Sequence, residues 1–469
     1  MMPKRRTPIS SGSRIRSLLC LLLLAVSGCA SYSSKVSSVK EYLASGEVDR
    51  ALEEVEESKS GSSRALFLME KGLLLHYAGR FEESNQTFEE AEILIEDLYT
   101  KSLSREIGAF LTSDNVREYD GEEFERVWIN YYRALNYIYL GLPEDALVEC
   151  RKVNLKLRRY MDDKGEEPGE SAYPNDAFIQ YLTGILYEWR GDVNDAHISY
   201  RAAAQAYDFY RERYGLDEPE GLDLSLLRTA EELGFRDEFT RYRDQCPEIE
   251  DGAWRRQSDQ GELIFLHENG YIPHKIERNL NVPILKNDDW DDDRQFAMTL
   301  TRRARPGYRA EKIKVDYWLR LALPEYAPEA PRIAYAELSA PGHQTATVTV
   351  ENLGAIARAT LEEKYGTILF RTILRALAKY GAHEAAESKS ATLGVLTNIL
   401  GVATESADTR SWLTLPCSVG MARLELPEGT HRIELIFYDE AGLEVHRDTL
   451  EDVEIHPGDT TFLSYRTFQ

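Results

Sequence analysis

Two periodicities divide the chain. Between about residues 36 and 250 the apolar positions recur at helical spacing, and after about residue 255 they alternate in strand fashion. The stretches 69–92, 131–153 and 180–204 each read as two amphipathic helices around a glycine. Weaker copies run over 36–58 and 226–247. In the second half, GELIFLHENGYIPHKIE (261–277) carries two apolar runs joined by Asn269-Gly270, which predicts a two-residue hairpin. Strands are predicted within 312–326, 331–338 and 344–353. A helical section follows over 354–381, with apolar Ile368, Ile373, Leu374 and Leu377, and a second helical segment across 382–403. Strands then return at 412–416, 421–445 and 451–468, where Pro427-Glu428-Gly429 and Pro457-Gly458-Asp459 separate the apolar runs.

The three strong helical stretches align position by position: Gly72, Leu75, Gly79, Ser84, Phe88, Ala91; Ala134, Tyr137, Gly141, Ala146, Cys150, Val153; Gly184, Tyr187, Gly191, Ala196, Tyr200, Ala203. The pattern resembles the tetratricopeptide repeat (TPR). Small residues let two antiparallel helices approach, the middle glycine ends the first helix, and the larger residues fill the space between neighbours. Gly46 and Gly234 hold the corresponding place in the weaker copies. The glycine-to-glycine intervals are 33, 62, 50 and 43 residues, so insertions are expected, among them a surface loop at 162–176. The resemblance implies a curved solenoid whose concave face takes peptides or protein surfaces.

Upstream, basic residues (Lys4, Arg5, Arg6, Arg14, Arg16) precede an apolar run from Leu18 to Val26, then Val26-Ser27-Gly28-Cys29. The run is too short to span a bilayer, which takes about 20 residues, and fits a secretory signal. Its end resembles the bacterial lipobox. That resemblance implies cleavage between Gly28 and Cys29, with a diacylglycerol and an N-acyl chain on Cys29 as the anchor. No other cofactor is expected. Ala30 and Ser31 follow where an aspartate would favour the inner membrane, so the outer membrane, facing the periplasm, is the predicted address.

Composition narrows the partners. The 469 residues carry a net charge of −24 with no visible basic stripe, which argues against nucleic acid. Cys150, Cys246 and Cys417 are widely separated and have no metal spacing, so buried free thiols are expected. His267 and His274 would lie diagonally on one face of the predicted hairpin, without a third metal ligand. Asp289, Asp291 and Asp293 resemble the start of a calcium loop, but Arg294 stands where that loop needs glycine and Leu300 where it needs glutamate. Arg410 could pair with Asp408 beside Trp412, as a domain-junction lock or a binding block. No nucleophile elbow, zinc-protease, Walker or dinucleotide motif is present, so no catalytic residue and no metal site is assigned, and a binding protein is expected rather than an enzyme.

The order of features as a whole — lipobox, helical repeats, ENGYIPHK, the ADTRSWLTLP block (407–416) and LPEGTHRIEL — resembles a family of bacterial TPR-containing outer-membrane lipoproteins. Its last part resembles PEGA-type β modules. The resemblance implies fold and address, and no activity. The expected fold is α+β multidomain: signal peptide 1–28, lipidated tether 29–35, TPR-like domain 36–250, mixed β-hairpin and helical domain 255–410, and a β-sandwich-like module 411–469. The expected function is a protein-interaction scaffold for envelope proteins, a peptidoglycan synthase or secretion machinery among them. The alternatives are an oligomeric secretion or assembly ring and an enzyme acting on envelope polymer.

Overall fold

The computed structural model describes residues 31–57, 64–105, 117–167, 169–285, 315–387 and 406–468. Ten helices come first, as five pairs: α1 (Ser31–Ala44) with α2 (Val48–Glu56), α3 (Arg64–Tyr77) with α4 (Phe81–Arg105), α5 (Glu123–Tyr139) with α6 (Pro143–Lys164), α7 (Ala177–Trp189) with α8 (Val193–Tyr214), and α9 (Glu220–Leu233) with α10 (Arg236–Gln245). Residues 31–35, expected as part of the tether, form the start of α1. Cys29 and Gly28 lie outside the described residues, as does the acidic stretch 287–295.

Each pair turns in the same way. The glycine amide donates to a carbonyl three residues back, and the next amide to one five back. At Gly79 these are His76 and Leu75, and the same pair of bonds recurs at Gly46, Gly141, Gly191 and Gly234. All five glycines have φ between +70° and +80°, a left-handed conformation in which a Cβ is strained. Within the pairs, small residues sit under large ones. A Cβ on Gly72 would lie 2.6 Å from the Phe88 ring, and one on Gly184 would lie 2.3 Å from Tyr200. In the middle pair Ala134 is matched instead to the smaller Cys150, both fully buried. Ala91, Ala146, Ala196 and Ala203 are likewise buried. Cys150, Cys246 and Cys417 are buried free thiols, as expected.

The second half holds two four-stranded sheets. One has the order β10–β1–β7–β6 (Thr460–Arg466, Gln260–Asn269, Ser418–Pro427, Val348–Glu351). The other has the order β5–β4–β8–β9 (His343–Ala346, Tyr335–Ala340, Gly429–Tyr438, Glu444–Ile455). They face each other through Leu263, Phe265, Leu424 and Leu426 on one side and Leu338, Leu435, Phe437 and Ile455 on the other. Two expectations are corrected here. The 411–469 module is not self-contained, because β1 pairs in parallel with β10 and antiparallel with β7, and β4 pairs with β8. Nor do the runs flanking Asn269-Gly270 form a hairpin. Gly270 turns at φ +59°, where a Cβ would meet Pro331 at 2.5 Å, and the chain leaves the sheet. Alternation marks a strand but not its partner. The turns at 427–429 and 457–459 do separate strands, as arches from one sheet to the other.

The strand after Gly270, β2 (Lys275–Leu285), pairs with β3 (Val315–Tyr326) in a separate ribbon. The 35-residue helix α11 (Leu353–Glu387), about 50 Å long, begins in the main core at Leu353 and Ile356. Its distal part packs Ala376 on Leu319 and Leu321 of the ribbon. The root of this arm is tied to the helical half by Glu122, which holds Lys275 and, at 3.0 Å, Lys364. Burial alone would raise the Glu122 carboxyl, but the two ammonium groups outweigh it and hold it low. No helix among the described residues is long and apolar enough to cross a membrane.

Candidate functional site: a repeat face filled by its own chain

The sheet β10–β1–β7–β6 is buried on both sides. Odd-numbered Leu263 and Phe265 face the second sheet, whereas even-numbered Ile264 and Leu266 join the core of the helical half. Every residue of β1 after Gln260 is buried, which is why its sequence reads as a nearly continuous apolar run. The surface it covers belongs to the first helices of the pairs, the face on which the repeat pattern predicts ligand binding.

Four contacts along this face define the site. Glu268, at the end of β1, accepts a hydrogen bond from Tyr77 of α3 at 2.7 Å and a long one from Tyr131 of α5 at 3.5 Å. Six residues earlier on the same strand face, Glu262 accepts from Arg423 of β7 at 2.6 Å. The Arg423 guanidinium continues to Tyr181 of α7 and Ser225 of α9, at 2.9 and 2.6 Å. A strand pair thus lies across helices of pairs two to five, with a carboxylate at each end and Ile264 and Leu266 between.

The 407–416 block occupies the same face without regular structure, turning at 413–415, so the strand expected at 412–416 does not form. Glu125 of α5 accepts from the Trp412 amide at 2.7 Å. Glu70 of α3 accepts from the Leu413 amide at 3.1 Å and from the Thr414 hydroxyl. Trp412, fully buried, packs on Phe88 and Tyr132. The block is held at its other edge by Ile272, whose amide donates to the Leu415 carbonyl, and by Arg466, which donates to that of Thr414. Burial pushes the Glu70 carboxyl up to about 7 and raises that of Glu125. Two helix carboxylates that grip successive backbone amides of a turning segment, with an aromatic anchor beside them, are arranged as in peptide recognition. Here the peptide is residues 412–414 of the same chain.

Arg410 makes two bonds to Asp408, at 2.9 and 2.7 Å, donates to the Arg117 carbonyl at 2.8 Å, and lies over the Tyr119 ring. Asp408, Arg410 and Trp412 thus sit at the junction of the two halves. His267 and His274 are not brought together: His267 is buried and bonds Thr467, its pKa lowered to about 3 by burial, whereas His274 contacts Glu329. Among the described residues no group of three or more His, Cys, Asp or Glu side chains could hold a metal ion.

Glu70, Glu125, Glu262, Glu268 and Arg423 are not singled out by motif. The signal that could have found Glu70 is its isolation in LFLMEKGLLL. For Glu262 and Glu268 it is a carboxylate at each end of the same strand face as Ile264 and Leu266.

The architecture is that of a helical-repeat protein with TPR-like helix pairs, joined to a β half that fills its first-helix face. No protein-family model matches the chain, and no curated protein does. Among solved structures it is similar to crystal structures of nearly identical TPR-like repeats, kinesin light chain-like, from Podosopora anserina. One of these is 14% identical and covers 46% of this chain and 93% of its own, with a TM-score of 0.30. A singly substituted variant of that protein, also 14% identical, covers 46% and 92% at a TM-score of 0.29. The repeat architecture stands on the five helix pairs and their glycine turns.

Proposed function

We propose that this protein is a lipid-anchored scaffold of the bacterial envelope whose repeat groove is filled by its own chain, and that it presents partners with the surfaces left outside that groove. The observation that carries the reading is the grip of Glu70 and Glu125 on the Trp412 and Leu413 amides. It makes the repeat half and the β half one body and leaves the usual ligand face taken. The diacylglycerol and N-acyl chains on Cys29 would tether this body at the outer membrane, in the periplasm. The partners are envelope proteins, with a peptidoglycan synthase or a secretion component as candidates, and no catalytic role is assigned.

The test is crosslinking in living cells, followed by purification of the lipidated protein and mass spectrometry. Crosslinks to other envelope proteins, none of them from the face around Trp412, are the expected result. Self-crosslinks alone would overturn the reading in favour of an oligomeric assembly. The arm supports that second reading, because Ile276, Leu280, Trp318 and Phe370 are exposed there.

A further inference from the structure

The helical half has a second face, and the rest of the chain leaves it open. Six large apolar side chains are exposed in the described helical half: Ile93, Leu142, Val148, Leu155, Ile198 and Phe235. Each lies on the second helix of a pair or on the residue just before it. Single exposed aliphatic residues are ordinary, but four of these repeat in register. Val148 and Ile198 each lie seven residues after their turn glycine, and Ile93 and Leu155 each fourteen after theirs. Seven and fourteen residues are close to two and four helical turns, so all four point from the same side of their helices. Ile93 and Leu155 are 66% and 64% exposed.

Charge singles out the middle of this face. On α6, Val148, Arg151, Leu155 and Arg158 follow one another at spacings of three, four and three, and all four are exposed. The basic residues beside them are already used: Lys156 pairs with Glu92 of α4 at 2.6 Å, Lys152 with Glu149 at 3.0 Å, and Arg159 with Glu96. The Lys156 and Arg159 pairs also tie α4 to α6, so the exposed apolar positions of the two helices lie on neighbouring surfaces. Arg151 and Arg158 have no carboxylate partner among the described residues, and Arg151 reaches only the Tyr187 hydroxyl, at 3.5 Å. In a chain of net charge −24, this basic and aliphatic stripe departs from the acidic background, and the sequence reading, which found no basic stripe, missed it. It runs for about 15 Å along α6. Glu89, Glu90 and Asp97 are exposed on the neighbouring α4, which sets it apart from a surface that would lie on anionic lipid.

We infer that the second-helix face of pairs two to four, centred on Val148, Arg151, Leu155 and Arg158, docks an amphipathic helix of a partner protein that carries carboxylates beside an aliphatic stripe. The aliphatic side chains of such a helix cover Val148 and Leu155, and its carboxylates take the Arg151 and Arg158 guanidinium groups, which lack a carboxylate partner among the described residues, in forked hydrogen bonds. The inference rests on the scaffold reading above.

The test uses the purified full-length protein and a fluorescent synthetic helix with leucines at i, i+3 and i+7 flanked by glutamates. Anisotropy should show binding that weakens with salt and falls by about tenfold or more in Arg151→Glu/Arg158→Glu and in Leu155→Glu. All these positions are exposed, so the melting temperature should not move. A lysine-for-glutamate version of the peptide should not bind. Absence of binding, equal binding by the variants, or equal binding of the lysine peptide would overturn the inference. Binding to phosphatidylglycerol vesicles that is lost in the same variants would reassign the face to a membrane. If the peptide fails while in-cell crosslinks to envelope proteins persist, the docking face is wrong and the scaffold reading stands.

Discussion

The helical half and the β half are built on opposite principles. In the helical half each helix packs mainly on its neighbours in sequence, and each pair is closed by a glycine turn complete in itself. In the β half the central strand β1 is flanked by β7, about 150 residues later, and by β10, about 190 residues later. The local half supplies a surface, and the non-local half decides which side of that surface is buried. The comparison teaches where the fold is checked: at the few charged groups between the halves, which are satisfied only when both have formed.

The comparison is broken most sharply at Glu262. Its removal in Glu262→Ala leaves the Arg423 and Arg256 guanidinium groups without their shared carboxylate at a buried boundary. A loss of about 3–5 kcal/mol is expected in urea unfolding, the range for breaking a buried pair. Arg432→Ala removes an exposed pair with Glu451 in the same half and should cost at most about 1 kcal/mol. Equal shifts for the two would remove the boundary from its special place.

Gly184→Ala tests the local half. Alanine favours a helix over glycine by about 1 kcal/mol, but its Cβ would press on the Tyr200 ring. A net loss of about 1–3 kcal/mol is expected by thermal or urea unfolding. The same change at Gly366 of α11, where a Cβ meets nothing within 4 Å among the described residues, should be neutral or stabilising. A stabilised Gly184→Ala would mean that the small-under-large fit is not what fixes the helix spacing.

The smallest effect expected is one of pH. Asp176 and Glu351, both fully buried, face each other between the start of α7 and β6, with Tyr173 donating to the first and Tyr210 to the second. Burial raises both carboxyls, Glu351 further because Asp176 is beside it. The unfolded chain loses these protons near pH 4, whereas the folded chain keeps at least one of them to higher pH. Stability therefore falls as pH rises from about 4 through the folded values. Glu351→Gln should flatten that fall in unfolding curves taken between pH 4.5 and 7. An unchanged slope would place the dependence on other buried carboxyls such as Glu70.

Legibility follows the same division. The glycines at 46, 79, 141, 191 and 234 are visible as a spacing, and all five adopt the left-handed turn, because that turn is a property of a few consecutive residues. The strands around Phe265 and Leu424 are visible as alternation, but nothing near Asn269-Gly270 tells that chain to leave its sheet. The reason lies in Pro331 and in β7 and β10, far along the sequence. Glu70 stands out as one carboxylate in an apolar run, yet its partner is 343 residues away. The site was therefore legible as a face, through the repeat, and not as an occupant.

The parallel pairing of β1 with β10 also sets an order in time. A chain made from its N-terminus delivers the five helix pairs first and β1 next, but β1 waits some 150 residues for its first neighbour, β7, and some 190 for its parallel partner, β10. During that interval the first-helix face, with Tyr77, Tyr131 and Tyr132, stays wet and adhesive. Maturation of this protein then depends on whatever shields that face until its last described strand arrives.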